Sequence, residues 1–200
     1  MIRFILIACC LLFGPTVHAD AAAMVGKPAP ALELSDVNGE AVRLDSFKGK
    51  IVVLEWVNFP CPFVGKQYGS GNMQALQQKY TEKGVVWLSV CSSAPGKQGH
   101  VTGDEAKALI EEKGAAPTRF LLDPKGVVGK AYGAKTTPHL FVIDAKGTLV
   151  YNGAIDDRPS TKLADVEGAK NYLAAALEST MAGRKVQTAA TQPYGCSVKY

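Results

Sequence analysis

The sequence predicts an α/β domain: a central mixed sheet flanked by helices and opened by a β-hairpin. Three observations carry this. ALELSDVNGEAVRL sets Asn38-Gly39 between two alternating runs, a strong short hairpin signal. KGKIVVLEWV and GVVWLSV are nearly continuous apolar runs of β-branched character, expected of strands covered on both faces, and the helical spacing of MQALQQKYTEKG between them makes a β-α-β crossover with parallel neighbours. HLFVIDAKGTLVY reads as a second hairpin, turned at Ala145-Lys146-Gly147 and preceded by Thr137-Pro138.

The remaining elements follow in chain order. In the crossover helix Asn72 is the expected N-cap and Gly84 the stop. Val101 to Lys113 reads as a second helix entered through Thr102 or Asp104. TRFLLDP and GVVGKAYGA read as a short strand and a short helix, and VEGAKNYLAAALESTMAG supplies the last helix. Residues 183–200 form a tail of turn-forming and small residues, behind a domain expected over residues 24–182.

With 200 residues, 47% hydrophobic and 20% charged, the chain can bury a real core and is not of disordered composition. A net charge of +4, with no basic stripe interleaved with aromatics, gives no reason to expect a nucleic-acid partner. Arg3, the apolar FILIACCLLF and the small residues VHA before Asp20 have the form of an export signal spanning residues 1–19, removed after Ala19 or a few residues later. LIAC, ending at Cys9, resembles a lipid-attachment box, but little apolar sequence precedes that cysteine. Nothing after residue 24 is long and apolar enough to span a bilayer, so the mature chain is expected to be exported without an anchor, most simply to a bacterial periplasm.

Processing leaves Cys61, Cys91 and Cys196, an odd number for an oxidising compartment, so at least one thiol is expected to be free or intermittently paired. In WVNFPCPFVGKQY, Pro60 and Pro62 break the strand and can place Pro62 in the first turn of a helix that starts at Cys61. The unpaired N–H groups of a helix start favour the thiolate, the form that attacks disulfides and peroxides. Position 64 is Val64, so a partner thiol, if Cys61 has one, stands elsewhere in the chain. Glu55, inside the apolar run six residues upstream, is a candidate proton acceptor because burial raises a carboxyl pKa. Cys91, at the carboxyl end of a strand parallel to the one before Cys61, could lie on the same face as Cys61, but it reads rather as a core cysteine. Cys196 in QPYGCSVKY suits a resolving thiol, since a mobile tail can reach a mixed disulfide or a sulfenic acid and then leave, with a permanent structural disulfide or an intermolecular link as the other uses of it.

NGEAVRLDSFKGKIVVLEWVNFPCPFV and TRFLLDPKGVVGKAYGAKTTPHLFVIDAKGTLVYNG together resemble the redoxin group of the thioredoxin-like superfamily, which includes alkyl hydroperoxide reductase and thiol-specific antioxidant relatives. The resemblance covers most of residues 24–180. It implies a thioredoxin-like fold, Cys61 as nucleophile, a cis Pro138 facing it, and Glu55 in the place of the family's buried acid. It further implies that the backbone of Thr137 pairs with an extended substrate, with Pro62 and Phe63 beside it. The chain departs from the family's patterns at Val64, where a second cysteine would stand, and at Asn58, where peroxidases of the group carry threonine. The expected activity is thiol oxidoreduction on a protein disulfide or a small peroxide, with a thiol reductant as partner. No cofactor is expected, because GSGNMQ does not leave a strand as a phosphate loop would. A second reading places His139, next to Pro138, with Cys61 in a copper-delivery site similar in outline to those built on this fold, and a third makes the chain a docking scaffold. Asp156 and Asp157 read as solvated loop acids.

Overall fold

The computed structural model describes residues 23–200. The expected signal and the LIAC box lie outside the described residues. β1 (Glu33–Asp36) and β2 (Ala41–Arg43) form the opening hairpin, with Gly39 taking the positive φ that its turn requires. β3 (Val52–Trp56), β4 (Val86–Cys91) and β5 (Arg119–Leu122) are mutually parallel neighbours. β6 is the short pair Thr136–Thr137, and β7 (His139–Ile143) and β8 (Leu149–Gly153) make the closing hairpin. The main sheet is ordered β2-β1-β5-β4-β3-β7-β8, mixed as expected, with β3 flanked by parallel β4 and antiparallel β7.

Alternation along β3 divides the core. Val52, Leu54 and Trp56 face a layer closed by α4 (Val127–Tyr132) through Val128 and Tyr132. Val53 and Val57 face the opposite layer, built from α1 (Pro62–Gly69), α2 (Asn72–Thr81), α3 (Gly103–Glu112) and α5 (Tyr172–Met181). The chain enters α3 through Thr102, whose side chain accepts the Glu105 N–H while Glu105 accepts the Thr102 N–H.

Two boundaries differ from expectation. The N-cap of α2 is Gly71 at φ 76°, and Asn72 is the first helical residue. Only two residues separate α1 from α2, so the reversal needs a left-handed conformation that glycine supplies. The last helix begins at Tyr172, where Asn171 accepts the Ala174 N–H at 2.8 Å; the preceding Leu163–Val166 is a 3-10 turn. Among the described residues, no helix is long and apolar enough to cross a membrane.

Candidate active site

The apolar run of β3 ends against the Asn58 to Pro62 turn, and Cys61 caps α1 with Pro62 at the first helical position. Its sulfur is fully buried and donates to the Thr137 carbonyl at 3.0 Å. Thr137 ends β6, and its bond to Pro138 is cis. The sheet thus brings Cys61, Thr137 and Pro138 to one end of the domain, as the resemblance implied.

Backbone and side chains bind the tail to the domain from Ala189 to Tyr200. Asn152 exchanges backbone hydrogen bonds with Ala189 and Thr191, both at 3.1 Å, and Thr191 Oγ1 accepts the Ala154 N–H at 2.8 Å. Cys196–Ser197 then forms β9, antiparallel to β6, with Cys196 opposite Thr137. Beyond it Val198 donates to the Lys135 carbonyl at 3.1 Å, Lys199 accepts from Ala94 at 2.8 Å, and the Tyr200 hydroxyl donates to Ala134 at 2.8 Å. Gly195 makes the approach possible: at φ 143° it lies where L side chains are strained, and a Cβ there would collide with the Thr137 carbonyl.

This path sets the Cys196 thiol against Cys61. Burial pushes the Cys61 thiol up, but hydrogen bonds from the Cys196 thiol, the Val64 N–H and the Cys196 N–H outweigh it and bring Cys61 below its ordinary range. Burial, and the charge and hydrogen bond of Cys61, push Cys196 up to about 11. Of the two thiols, Cys61 is therefore the more readily ionised.

Asp156 corrects the expectation of a solvated acid: it is 2% exposed and belongs to a buried polar cluster. It accepts from Gln67 Nε2 at 2.7 Å and pairs with the equally buried Lys66 at 3.4 Å. Lys66 Nζ donates to the Arg158 carbonyl at 2.6 Å and to the Tyr194 hydroxyl at 3.1 Å, and that hydroxyl in turn donates to Asp156. The Tyr194 ring meets Phe63 edge-on with centroids 5.8 Å apart. Neither Lys66 nor Tyr194 stands out in the sequence; the usable signal was an aromatic two residues before a cysteine in a Gly-containing tail.

Other expected residues lie apart from the thiol pair. Glu55 is fully buried, on the α1 and α2 side of β3, and its oxygens accept from Trp87 Nε1 at 2.8 Å, Ser89 Oγ and the Tyr68 hydroxyl at 2.9 Å, and Gln77 Nε2 at 3.1 Å. Burial raises its pKa against those four donors, and none of its hydrogen bonds reaches a cysteine. His139 accepts the Lys135 N–H on Nδ1 at 3.2 Å and, as the Nε2–H tautomer, donates to Asn152 at 2.7 Å. Both ring nitrogens are engaged, and burial lowers its pKa to about 4. Cys91 is buried, donates to the Gly99 carbonyl at 3.2 Å, and is pushed up by burial. Among the described residues, no group of three or more His, Cys, Asp or Glu side chains is placed to hold a metal ion.

The chain is similar to known proteins in sequence and in fold. ResA, a thiol-disulfide oxidoreductase of Bacillus thuringiensis subsp. konkukian (strain 97-27), is 28% identical over 128 residues, covering 63% of this chain and 67% of that protein. An uncharacterized conserved protein from Geobacillus kaustophilus superposes with a TM-score of 0.75 at 29% identity, over 88% of this chain and 92% of that one. A hypothetical protein from Sinorhizobium meliloti 1021 does so with a TM-score of 0.75 at 25% identity, over 90% and 96%. A thiol:disulfide interchange protein from Bacteroides sp. shares the fold at a TM-score of 0.53 and 24% identity, over 72% and 89%. The AhpC/TSA family model matches residues 25–152, a span that holds Cys61 and Pro138 but not Cys196, and the chain belongs to that thioredoxin-like family.

Proposed function

We propose that the protein is an exported thiol–disulfide oxidoreductase in which Cys61 is the nucleophile and Cys196 the resolving thiol. The observation that carries this reading is the β6–β9 pairing, which sets Cys196 opposite the residue whose carbonyl receives the Cys61 thiol. The Cys61 thiolate attacks one sulfur of a substrate disulfide, and the other sulfur leaves as a thiolate that takes a proton from solvent. Cys196, deprotonated, then attacks the Cys61 sulfur of the mixed disulfide. A Cys61–Cys196 disulfide forms and the substrate leaves with both sulfurs reduced. An external dithiol returns the enzyme to its starting state.

A protein disulfide is the favoured substrate. The names of the ResA relatives support it, and the edge of β6, now filled by β9, suits an extended chain. Polypeptide and tail cannot occupy that edge together, so the tail lifts for the first step and returns for the second.

Mapping thiols by alkylation and mass spectrometry tests the reading. After one equivalent of a disulfide peptide, the Cys61 and Cys196 peptides should appear as one linked species that a thiol reductant separates. Linkage with hydrogen peroxide and none with the disulfide peptide would move the activity to peroxide reduction. An unmodified Cys61 in both arms would end the reading.

A further inference from the structure

A lysine fully removed from water is costly unless its charge and all its donors are matched, and the redox chemistry described above does not use Lys66. Its surroundings point to the tail. Lys66, Gln67, Asp156 and Arg158 come from α1 and the loop after β8, and Tyr194 is the one tail residue bonded to the buried pair. The tyrosine ring also lies 5.1 Å from the ammonium and edge-on to Phe63. Tyr194 is two residues before Cys196, with only Gly195 between them, and a glycine transmits no side-chain constraint of its own. The tyrosine therefore anchors the tail on the N-terminal side of the thiol, as the Val198, Lys199 and Tyr200 bonds do on the C-terminal side.

We propose that Tyr194, seated on the Lys66–Asp156 pair, is a positioning residue that holds Cys196 over Cys61 and so sets the rates of the two chemical steps in opposite directions. The inference rests on the Cys61–Cys196 reading and deepens it. In the reduced protein the seated tail covers Cys61, so at a pH where Cys61 is ionised with the tail seated or lifted, a looser seat speeds attack on an incoming disulfide. In the mixed disulfide the bound substrate half crowds the same edge. The fraction of molecules with the tail seated then depends on anchors outside β9, and a looser seat slows resolution. A side chain that only stabilised the domain would not move the two steps in opposite senses.

An aryl disulfide, 5,5′-dithiobis(2-nitrobenzoate), reads both steps at one wavelength. Cys61 attack forms the Cys61–aryl mixed disulfide and releases one thionitrobenzoate. Cys196 attack on the Cys61 sulfur forms the intramolecular disulfide and releases the second, the Cys196 proton passing to solvent. The full-length protein, mixed with less than one equivalent, should show two phases, and Cys196→Ser only the first. In Tyr194→Phe the first phase should quicken and the second slow, each by about tenfold, the scale of one hydrogen bond to a charged group. Tyr194→Leu, which also loses the ring contacts, should move both rates further in the same directions, with circular dichroism reporting that each variant is folded. Two phases in the wild type, with both rates unchanged or moved in one direction in the variants, would overturn the role of Tyr194 and leave the thiol pair standing. A single release in the wild type would instead remove Cys196 as the resolving thiol.

Discussion

At Cys61 the favourable setting of a helix start is only part of what acts on the sulfur. Among the groups that lower its pKa, the Cys196 thiol comes ahead of the Val64 N–H, so the second cysteine favours the thiolate of the first. Cys196→Ala removes that donor while leaving the helix start in place. The pH midpoint for Cys61 alkylation by iodoacetamide should then rise by about one unit, the equivalent of one hydrogen bond to a charged group. An unchanged midpoint would assign the activation to the helix start alone. The place of Cys61 at a helix start was legible in the sequence because prolines on both sides of a cysteine, after a buried strand, leave few other structures. Lys66 was not legible, because a lysine on a helix reads as solvated until the fold sets Asp156 and Tyr194 against it. Asp156 was misread for the same reason: its partners lie 89 and 90 residues upstream and 38 residues downstream.

Among the elements, the long apolar runs and the Asn-Gly turn fixed β1 to β4 and the closing hairpin, since a strand covered on both faces has few alternatives. β6 and β9 contain two residues each, too few for any periodicity, and their pairing joins positions about sixty residues apart. Cys196 could be proposed as a thiol within reach, but its seat on Thr137 depends on contacts that only the folded domain supplies. Gly195 is the residue on which that seat turns. In Gly195→Ala the added Cβ meets the Thr137 carbonyl and the backbone enters a region costing about 1–3 kcal/mol, so β9 should leave β6. Hydrogen exchange should show the Val198 amide losing protection while amides of β3 and β4 keep theirs. Equal protection at Val198 in variant and wild type would mean that the tail is held without the β6–β9 pairing.

For the whole molecule, the packing that builds the site also makes stability depend on pH through two buried groups that act in opposite senses. His139 has its folded pKa lowered to about 4 from an ordinary 6.5, chiefly by burial. Between those values the unfolded chain takes up a proton that the folded one refuses, so stability falls as pH drops through this window and levels off below about pH 4. Over that interval the loss attributable to His139 is about 3 kcal/mol. Glu55 has its pKa raised from 4.5 by burial, so its contribution is complete below that value and is lost as pH rises through the folded pKa. The two slopes overlap and partly cancel, and the wild-type curve alone would understate both. His139→Asn separates them, since the asparagine oxygen can still accept the Lys135 N–H without titrating. Urea unfolding at a series of pH values from 7 to 4 should give a variant whose stability, lower at pH 7, converges on the wild type as pH falls. Parallel curves would mean that His139 takes up a proton in the folded protein as readily as in the unfolded chain. Burial would then not hold the ring neutral, and below about pH 6.5 the end of β7 beside Pro138 would carry a positive charge.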